Sequence, residues 1–75
     1  MFILIKDKRI NVNNITYYEQ YYDDRIQIHF KEKVGGDHHT IIMCSTKKAQ
    51  TMLLKRLDDL TSVQSLDHHP DKIEL

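Results

Sequence analysis

Hydrophobic and polar residues alternate along much of the first half of the chain. The clearest case is Arg25–Lys33, where Ile26, Ile28 and Phe30 share one side and polar residues share the other. Side chains of a strand point alternately to its two faces, so this pattern is typical of an antiparallel strand with one buried face. The same reasoning predicts four further strands, at Phe2–Lys6, Arg9–Val12, Ile15–Tyr22 and Thr40–Cys44.

The first and last of these strands, Phe2–Lys6 and Thr40–Cys44, are apolar on both faces, which predicts that both are covered on two sides. Polar or glycine-containing steps separate the strands and predict turns. These steps are Asp7-Lys8, Asn13-Asn14, Asp23-Asp24 and Gly35-Gly36-Asp37. Asn13-Asn14 suits a corner because asparagine tolerates left-handed conformations.

The hydrophobic period changes after Cys44. Leu53, Leu57 and Leu60 recur at helical spacing, which predicts an amphipathic helix over about residues 46–60. The predicted fold is therefore α+β: an antiparallel meander or half-barrel of about five strands, followed by one C-terminal amphipathic helix. Residues 1–60 form one β-rich domain with its terminal helix, and residues 61–75 are expected to be an acidic, flexible tail.

One helix covers only one face of such a sheet, whereas two of the predicted strands are apolar on both faces. Either the sheet curls into a half-barrel or a second copy covers the remainder. A chain of 75 residues builds a core of marginal stability, which also favours a homo-oligomer, most simply a dimer.

Composition narrows the class of protein. Eleven Lys and Arg balance eleven Asp and Glu, which argues against a chain that coats nucleic acid or an anionic membrane. The balance conceals a gradient: Met1–Arg56 has ten basic and six acidic residues, and Leu57–Leu75 has one and five. The single cysteine excludes an intramolecular disulfide, so we expect a cytoplasmic location. The apolar start is too short for a signal peptide or a membrane span, so no membrane partner is expected.

Four tyrosines on one predicted strand are the first candidates for an interface. Tyrosine is amphipathic, is common in interfaces and also stacks on nucleic-acid bases, although two rings facing the core and two at its rim are the simpler explanation. The interface candidates are Tyr17, Tyr18, Tyr21, Tyr22 and, beside the apolar stripe of the helix, Arg56. The arginine stem is expected to lie along that stripe, with the guanidinium available to an acidic group across an interface.

The predicted helix carries its charges in the unfavourable order for its dipole. Lysines occupy the first turn, and Asp58 and Asp59 lie near the end. Either groups outside the helix offset these charges or both ends are solvated. Free amides and cations at a helix start also make a candidate anion site, here Ser45, Thr46, Lys47 and Lys48.

No pattern of a catalytic or metal site is present. His38-His39 and His68-His69 are adjacent pairs, and adjacent side chains in an extended chain point apart, so neither pair chelates a metal. Cys44 with His29 or His39 as base is a conceivable nucleophile, although a single cysteine at a strand end is more often a small apolar filler. We therefore predict no metal, no cofactor and no enzymatic activity.

Two segments resemble known families. The stretches FILIKDKRINV, NNITYYEQ, RIQIHF and TIIMCSTKKAQTMLLKRL resemble small flagellar-operon proteins of the FlbD type, which are short cytoplasmic chains of several strands and a final helix. This chain departs from the family pattern at two positions. It lacks the turn glycine near Asp7-Lys8, and it has Asn13-Asn14 where the family has Asn-Pro. NNITYYEQYYDDRIQIHF is similar to the strand pair of LytTR-type DNA-binding domains, with Ile15, Tyr17, Tyr18 and Glu19 at the corresponding step.

Together these features predict a small non-enzymatic protein that self-associates and acts as a binding, adaptor or regulatory module, with a second copy or another protein as partner. The alternative is a nucleic-acid-binding regulatory protein, in which the basic residues share one face. These are Lys6, Lys8, Arg9, Arg25, Lys31, Lys33, Lys47 and Lys48. A metal- or cysteine-dependent enzyme is the third interpretation.

Overall fold

A computed structural model describes residues 1–63 and confirms the α+β class. The elements are β1 (Phe2–Ile5), β2 (Lys8–Asn11), a 3-10 turn (Val12–Asn14), β3 (Ile15–Tyr21), β4 (Arg25–Val34), β5 (Asp37–Met43) and α1 (Lys47–Thr61). The helix therefore extends one residue into the predicted tail of residues 61–75 and ends at Thr61. Residues 64–75, most of the predicted tail, lie outside the described residues.

The five strands form two antiparallel sheets, so the prediction of one five-stranded meander or half-barrel is not confirmed. β1 and β2 form a hairpin, and β3, β4 and β5 form a three-stranded sheet in that order. The division occurs at the asparagine corner. The Asn14 side-chain amide donates to the backbone carbonyl of Glu32 and accepts from its N–H, at 3.1 and 2.9 Å. These bonds anchor the start of β3 on β4 and separate it from the hairpin.

β4 is the central strand and is half-buried as its alternation predicts. Ile26 and Ile28 are fully buried on its inner face. The two strands predicted to be covered on both sides are not. β5 lies at the edge of its sheet with Ile42 buried and Ile41 exposed, and β1 leaves Phe2 exposed.

One core joins the two sheets and the helix. It contains the buried residues Ile5, Ile10, Ile26, Ile28, Phe30, Ile42 and Leu57. Because β1, β2 and α1 all contribute to this one cluster, the hairpin and the helix cover the same side of the three-stranded sheet. The other side of that sheet has no covering element among residues 1–63.

A bulge in β3 decides which side chains reach the core. The pairing with β4 shifts between Ile15 and Tyr17, so Ile15 joins Tyr18 against the core instead of sharing a face with Tyr17. The alternation then places Tyr17, Glu19 and Tyr21 on the opposite face. The bulge thus changes the face of Ile15, whereas ordinary alternation puts Tyr17 and Tyr18 on opposite faces.

Candidate functional site

The outer face of the three-stranded sheet is the first candidate surface, here called the open face. Cross-strand pairs place three rows of residues on it. The rows are Tyr17, His29 and His39; Glu19, Gln27 and Ile41; and Tyr21, Arg25 and Met43. The β3 edge of this face is therefore mainly aromatic, and the β5 edge is mainly aliphatic.

One end of the open face is held in place by packing between side chains. The rings of Tyr17 and His29 stack with their centroids 4.0 Å apart and their planes at 13°. His29 Nε2 lies 3.4 Å from Glu19 Oε1, and the His39 ring centroid is 6.0 Å from that of His29. The stack fixes the orientation of Tyr17 although half of that side chain is exposed.

The β5 edge of the open face exposes large apolar side chains. Ile41 is 37% exposed and Met43 is 45% exposed, in alternate positions of the strand. Tyr17 on the opposite edge is 50% exposed. Aromatic residues and methionine are enriched in protein interfaces, so the open face has the composition of a binding surface.

The other two tyrosines named from the sequence lie elsewhere. Tyr18 faces the helix, where its hydroxyl donates to Asp58 Oδ1 at 2.6 Å and lies 3.1 Å from Thr61 Oγ1. Burial raises the pKa of the Tyr18 hydroxyl, and the hydrogen bond to Asp58 raises that pKa further. Tyr22 lies in the turn after β3 at φ 55°, with the Arg25 guanidinium 5.3 Å from its ring centroid.

A groove between the hairpin and the helix is the second candidate surface. It has a cavity of about 350 Å³. Its lining is formed by Met1, Phe2, Ile3, Leu4, Ile5, Leu53, Arg56, Leu57 and Leu60. We call this surface the hairpin–helix groove. Phe2 and Leu4 border it at 68% and 61% exposure, so a large apolar area surrounds the cavity. Arg56 belongs to this groove and not to the open face.

The start of the helix is capped and partly neutralised within the chain. Thr46 is the N-cap, and its hydroxyl accepts a hydrogen bond from the Ala49 N–H at 3.0 Å. Lys47 Nζ lies 3.6 Å from Asp23 Oδ1. Asp23 near the start and Tyr18 near the end therefore supply groups outside the helix that offset its charge order. Ser45 and Lys48 are exposed beside this cap.

The structure does not bring the cysteine and histidines together. Cys44 packs against the core and lines a pocket with Ile5 and Ala49, whereas His29 and His39 lie on the open face. Within residues 1–63 no three His, Cys, Asp or Glu side chains are grouped to hold a metal ion. His68-His69 lies outside this range. No helix of the described part has both the length and the apolar character needed to cross a membrane.

No protein-family model, curated protein or solved structure matches the chain. The resemblances to FlbD-type and LytTR-type proteins therefore stay predictions.

The sequence does not indicate that Ile41, Met43, Phe2 and Leu4 are exposed. The strands that carry them are apolar on both faces, which predicts that both faces are covered. Placing β5 at the edge of a sheet would have indicated Ile41 and Met43, because they share a face.

Proposed function

We propose that the chain is a non-enzymatic binding module that self-associates through the open face. The observation that carries this proposal is a sheet face that no element of residues 1–63 covers, with tyrosines on its β3 edge and Ile41 and Met43 on its β5 edge. Burying such a face removes apolar surface from water at about 25 cal/mol per Å². A partner sheet is the simplest element that matches its shape, since sheets pack face to face about 10 Å apart.

A second copy complements this face by symmetry. A twofold axis that runs parallel to β4 between two facing sheets exchanges their outer strands, so β3 of one copy lies over β5 of the other. Such an axis keeps the position along the strands, so Tyr21 of each copy lies over Met43 of its partner, and Tyr17 lies over His39. In the middle row Glu19 lies over Ile41. The contact is isologous, which is the commonest arrangement in soluble oligomers.

The size of the face sets the expected strength of association. Three strands about 4.8 Å apart, with seven residues of about 3.3 Å each, span roughly 14 by 23 Å. This projected area, roughly 330 Å², is below the approximately 800 Å² per partner of a stable complex. We therefore expect a reversible association that depends on protein concentration.

The rival interpretation, nucleic-acid binding, requires its basic residues on one face. In the described residues they are distributed over several elements, and two of them are close to acids: Arg25 Nε lies 3.4 Å from Asp24 Oδ1 and Lys47 is near Asp23. Tyr17 already uses one ring face to stack on His29. These contacts favour a protein partner over a polyanion.

Sedimentation velocity on the full chain with Met43→Glu tests this proposal. Met43 is exposed, so the substitution leaves the core intact but puts a charge on the β5 edge of the open face, where Met43 lies over Tyr21 of the partner copy in the proposed contact. We expect the assembly mass to fall relative to that of the unmodified chain at the same concentration. Val34→Glu is the matched control: Val34 is an exposed apolar residue outside the rows of the open face, and this variant is expected to keep the original mass.

An unchanged mass for Met43→Glu would contradict the use of the open face. A second readout separates the rival function: anisotropy of a labelled single-stranded oligonucleotide, measured at low and high salt. Binding that weakens steeply with salt would favour nucleic acid, because phosphate contacts release counterions.

A further inference from the structure

The hairpin–helix groove is an exposed apolar surface separate from the open face. Phe2 and Leu4 project from β1 beside a cavity of about 350 Å³. A cavity of about 150 Å³ in a protein core holds a benzene-sized ligand, so this groove has room for roughly two such groups. The same surface therefore has two exposed apolar side chains, Phe2 and Leu4, and a cavity large enough to hold the same two side chains of another copy.

The charges beside the groove are also of both signs. Arg56 lines the groove, and Asp59 follows three residues later on the same helix, which makes the two residues surface neighbours. Both are exposed, and neither forms an ion pair within residues 1–63. Two such helices that pair antiparallel about a twofold axis place Arg56 of each copy against Asp59 of the other.

From these two features we infer that the hairpin–helix groove is a second self-association surface, whose occupant is another copy of this chain. Phe2 and Leu4 of one copy fill the groove of the other, and the two Arg56 to Asp59 contacts flank the apolar centre. Isologous pairing requires a patch that is complementary to itself, and this patch combines projections, hollow and both charges. The inference is independent of the open face.

Two different isologous surfaces on one chain predict assemblies larger than a dimer. If the two twofold axes meet at a right angle, the product is a closed particle of four chains, and if they do not meet, the product is an open array. Either assembly has a simple consequence: removing one surface leaves two-chain particles that are held by the other surface.

The test uses charge reversal in full-length chains that also carry Met43→Glu, so that only the groove contributes to mass. Arg56→Asp alone puts two acids in each contact, and Asp59→Arg alone puts two arginines there. Each variant is expected to sediment as one chain of about 9.0 kDa. An equimolar mixture of the two restores opposite charges in both contacts and is expected to recover the two-chain mass.

Recovery in the mixture supports a second copy as the occupant, because a segment of the same chain in the groove would not respond to mixing. Leu4→Glu is expected to abolish the two-chain mass, whereas Val34→Glu, an exposed apolar control outside both surfaces, keeps it. A one-chain mass for Met43→Glu alone, or no recovery in the mixture, overturns the inference. If Met43→Glu has no effect on the unmodified assembly, the open face fails while Leu4→Glu still reports on the groove.

Discussion

Gln50 is the single polar residue buried within the described core, and its amide joins the helix to the turn before β4. Its Nε2 donates to the backbone carbonyls of Tyr22 and Arg25 at 2.9 and 2.7 Å. Tyr22 occupies a left-handed conformation, at φ 55°, that residues other than glycine and asparagine adopt at a cost. The two hydrogen bonds therefore stabilise a strained turn from the side of the helix.

Gln50→Met keeps the volume of this side chain but removes both donors. We expect the free energy of unfolding to fall by about 2 kcal/mol, since a buried acceptor left without a partner costs about 1–3 kcal/mol. Chemical denaturation followed by circular dichroism measures this loss. Thr51→Met, at the next and exposed helix position, is the control, and an equal loss there would contradict the role given to Gln50.

Tyr18 is the corresponding link between β3 and the end of the helix. Its hydroxyl donates to the Asp58 carboxylate, and Thr61 Oγ1 lies close by while donating to the Leu57 carbonyl at 2.7 Å. Tyr18→Phe is expected to lower the free energy of unfolding by about 1 kcal/mol at neutral pH, near the low end for a bond to a charged group because the site is only partly buried.

This contribution is expected to disappear at alkaline pH. Burial and Asp58 raise the pKa of Tyr18 in the folded chain, so the folded state holds its proton more tightly than the unfolded state does. The stabilisation is complete below the unfolded pKa of about 10 and is lost as the pH rises through the folded pKa. The stability gap between the unmodified chain and Tyr18→Phe should therefore narrow above about pH 10. A gap that widens there would contradict this assignment.

At the scale of elements, the turn of the β1–β2 hairpin is the clearest local mismatch between sequence and backbone. Lys6 adopts φ 56° there. Replacing it with glycine relieves a left-handed conformation worth about 1–2 kcal/mol but adds about 0.4–1 kcal/mol of chain entropy in the unfolded state.

Lys6→Gly is therefore expected to raise the melting temperature, through a gain of roughly 0.5–1 kcal/mol. Lys8→Gly, in β2 and without a positive φ, should lower it. A lower melting temperature for Lys6→Gly than for Lys8→Gly would show that the left-handed conformation of Lys6 does not reduce the stability of the folded chain.

The elements themselves were largely predictable from the sequence. The hairpin, the half-buried β4 and the helix follow from periods of 2 and 3.6, and Thr46 proved to be the N-cap as its residue type suggests. Gly35 and Gly36 occupy the left-handed turn between β4 and β5, at φ 63° and 90°, where glycine has no Cβ penalty.

The placement of the elements was not predictable, because it depends on contacts distant in sequence. Two hydrogen bonds between Asn14 and Glu32 hold the start of β3 against β4, at the point where one sheet ends and the other begins. Asn13 and Asn14 do not adopt the left-handed conformation that their residue type suggests. The bulge in β3 puts the Ile15 side chain on the core face instead of on the face of Tyr17. A strand with apolar residues on both faces has the same sequence pattern at the centre of a sheet and at its edge. For this reason the pattern of β1 and β5 does not show that one face of each strand is exposed.

At the scale of the whole molecule, the hairpin and the helix both cover the inner side of the three-stranded sheet. Residues 1–63 therefore have one core and two surfaces that none of their own elements covers, the open face and the hairpin–helix groove. Scattered exposed apolar residues are ordinary on a small protein, but here they are grouped into two patches. We propose self-association as the consequence that accounts for both patches.

The most direct test of this account is the mass of the untagged full-length chain in solution, measured by sedimentation velocity from low to high micromolar concentration. We predict a mass that rises with concentration to at least two chains. A mass that stays at the 9.0 kDa of one chain across the whole range would contradict self-association.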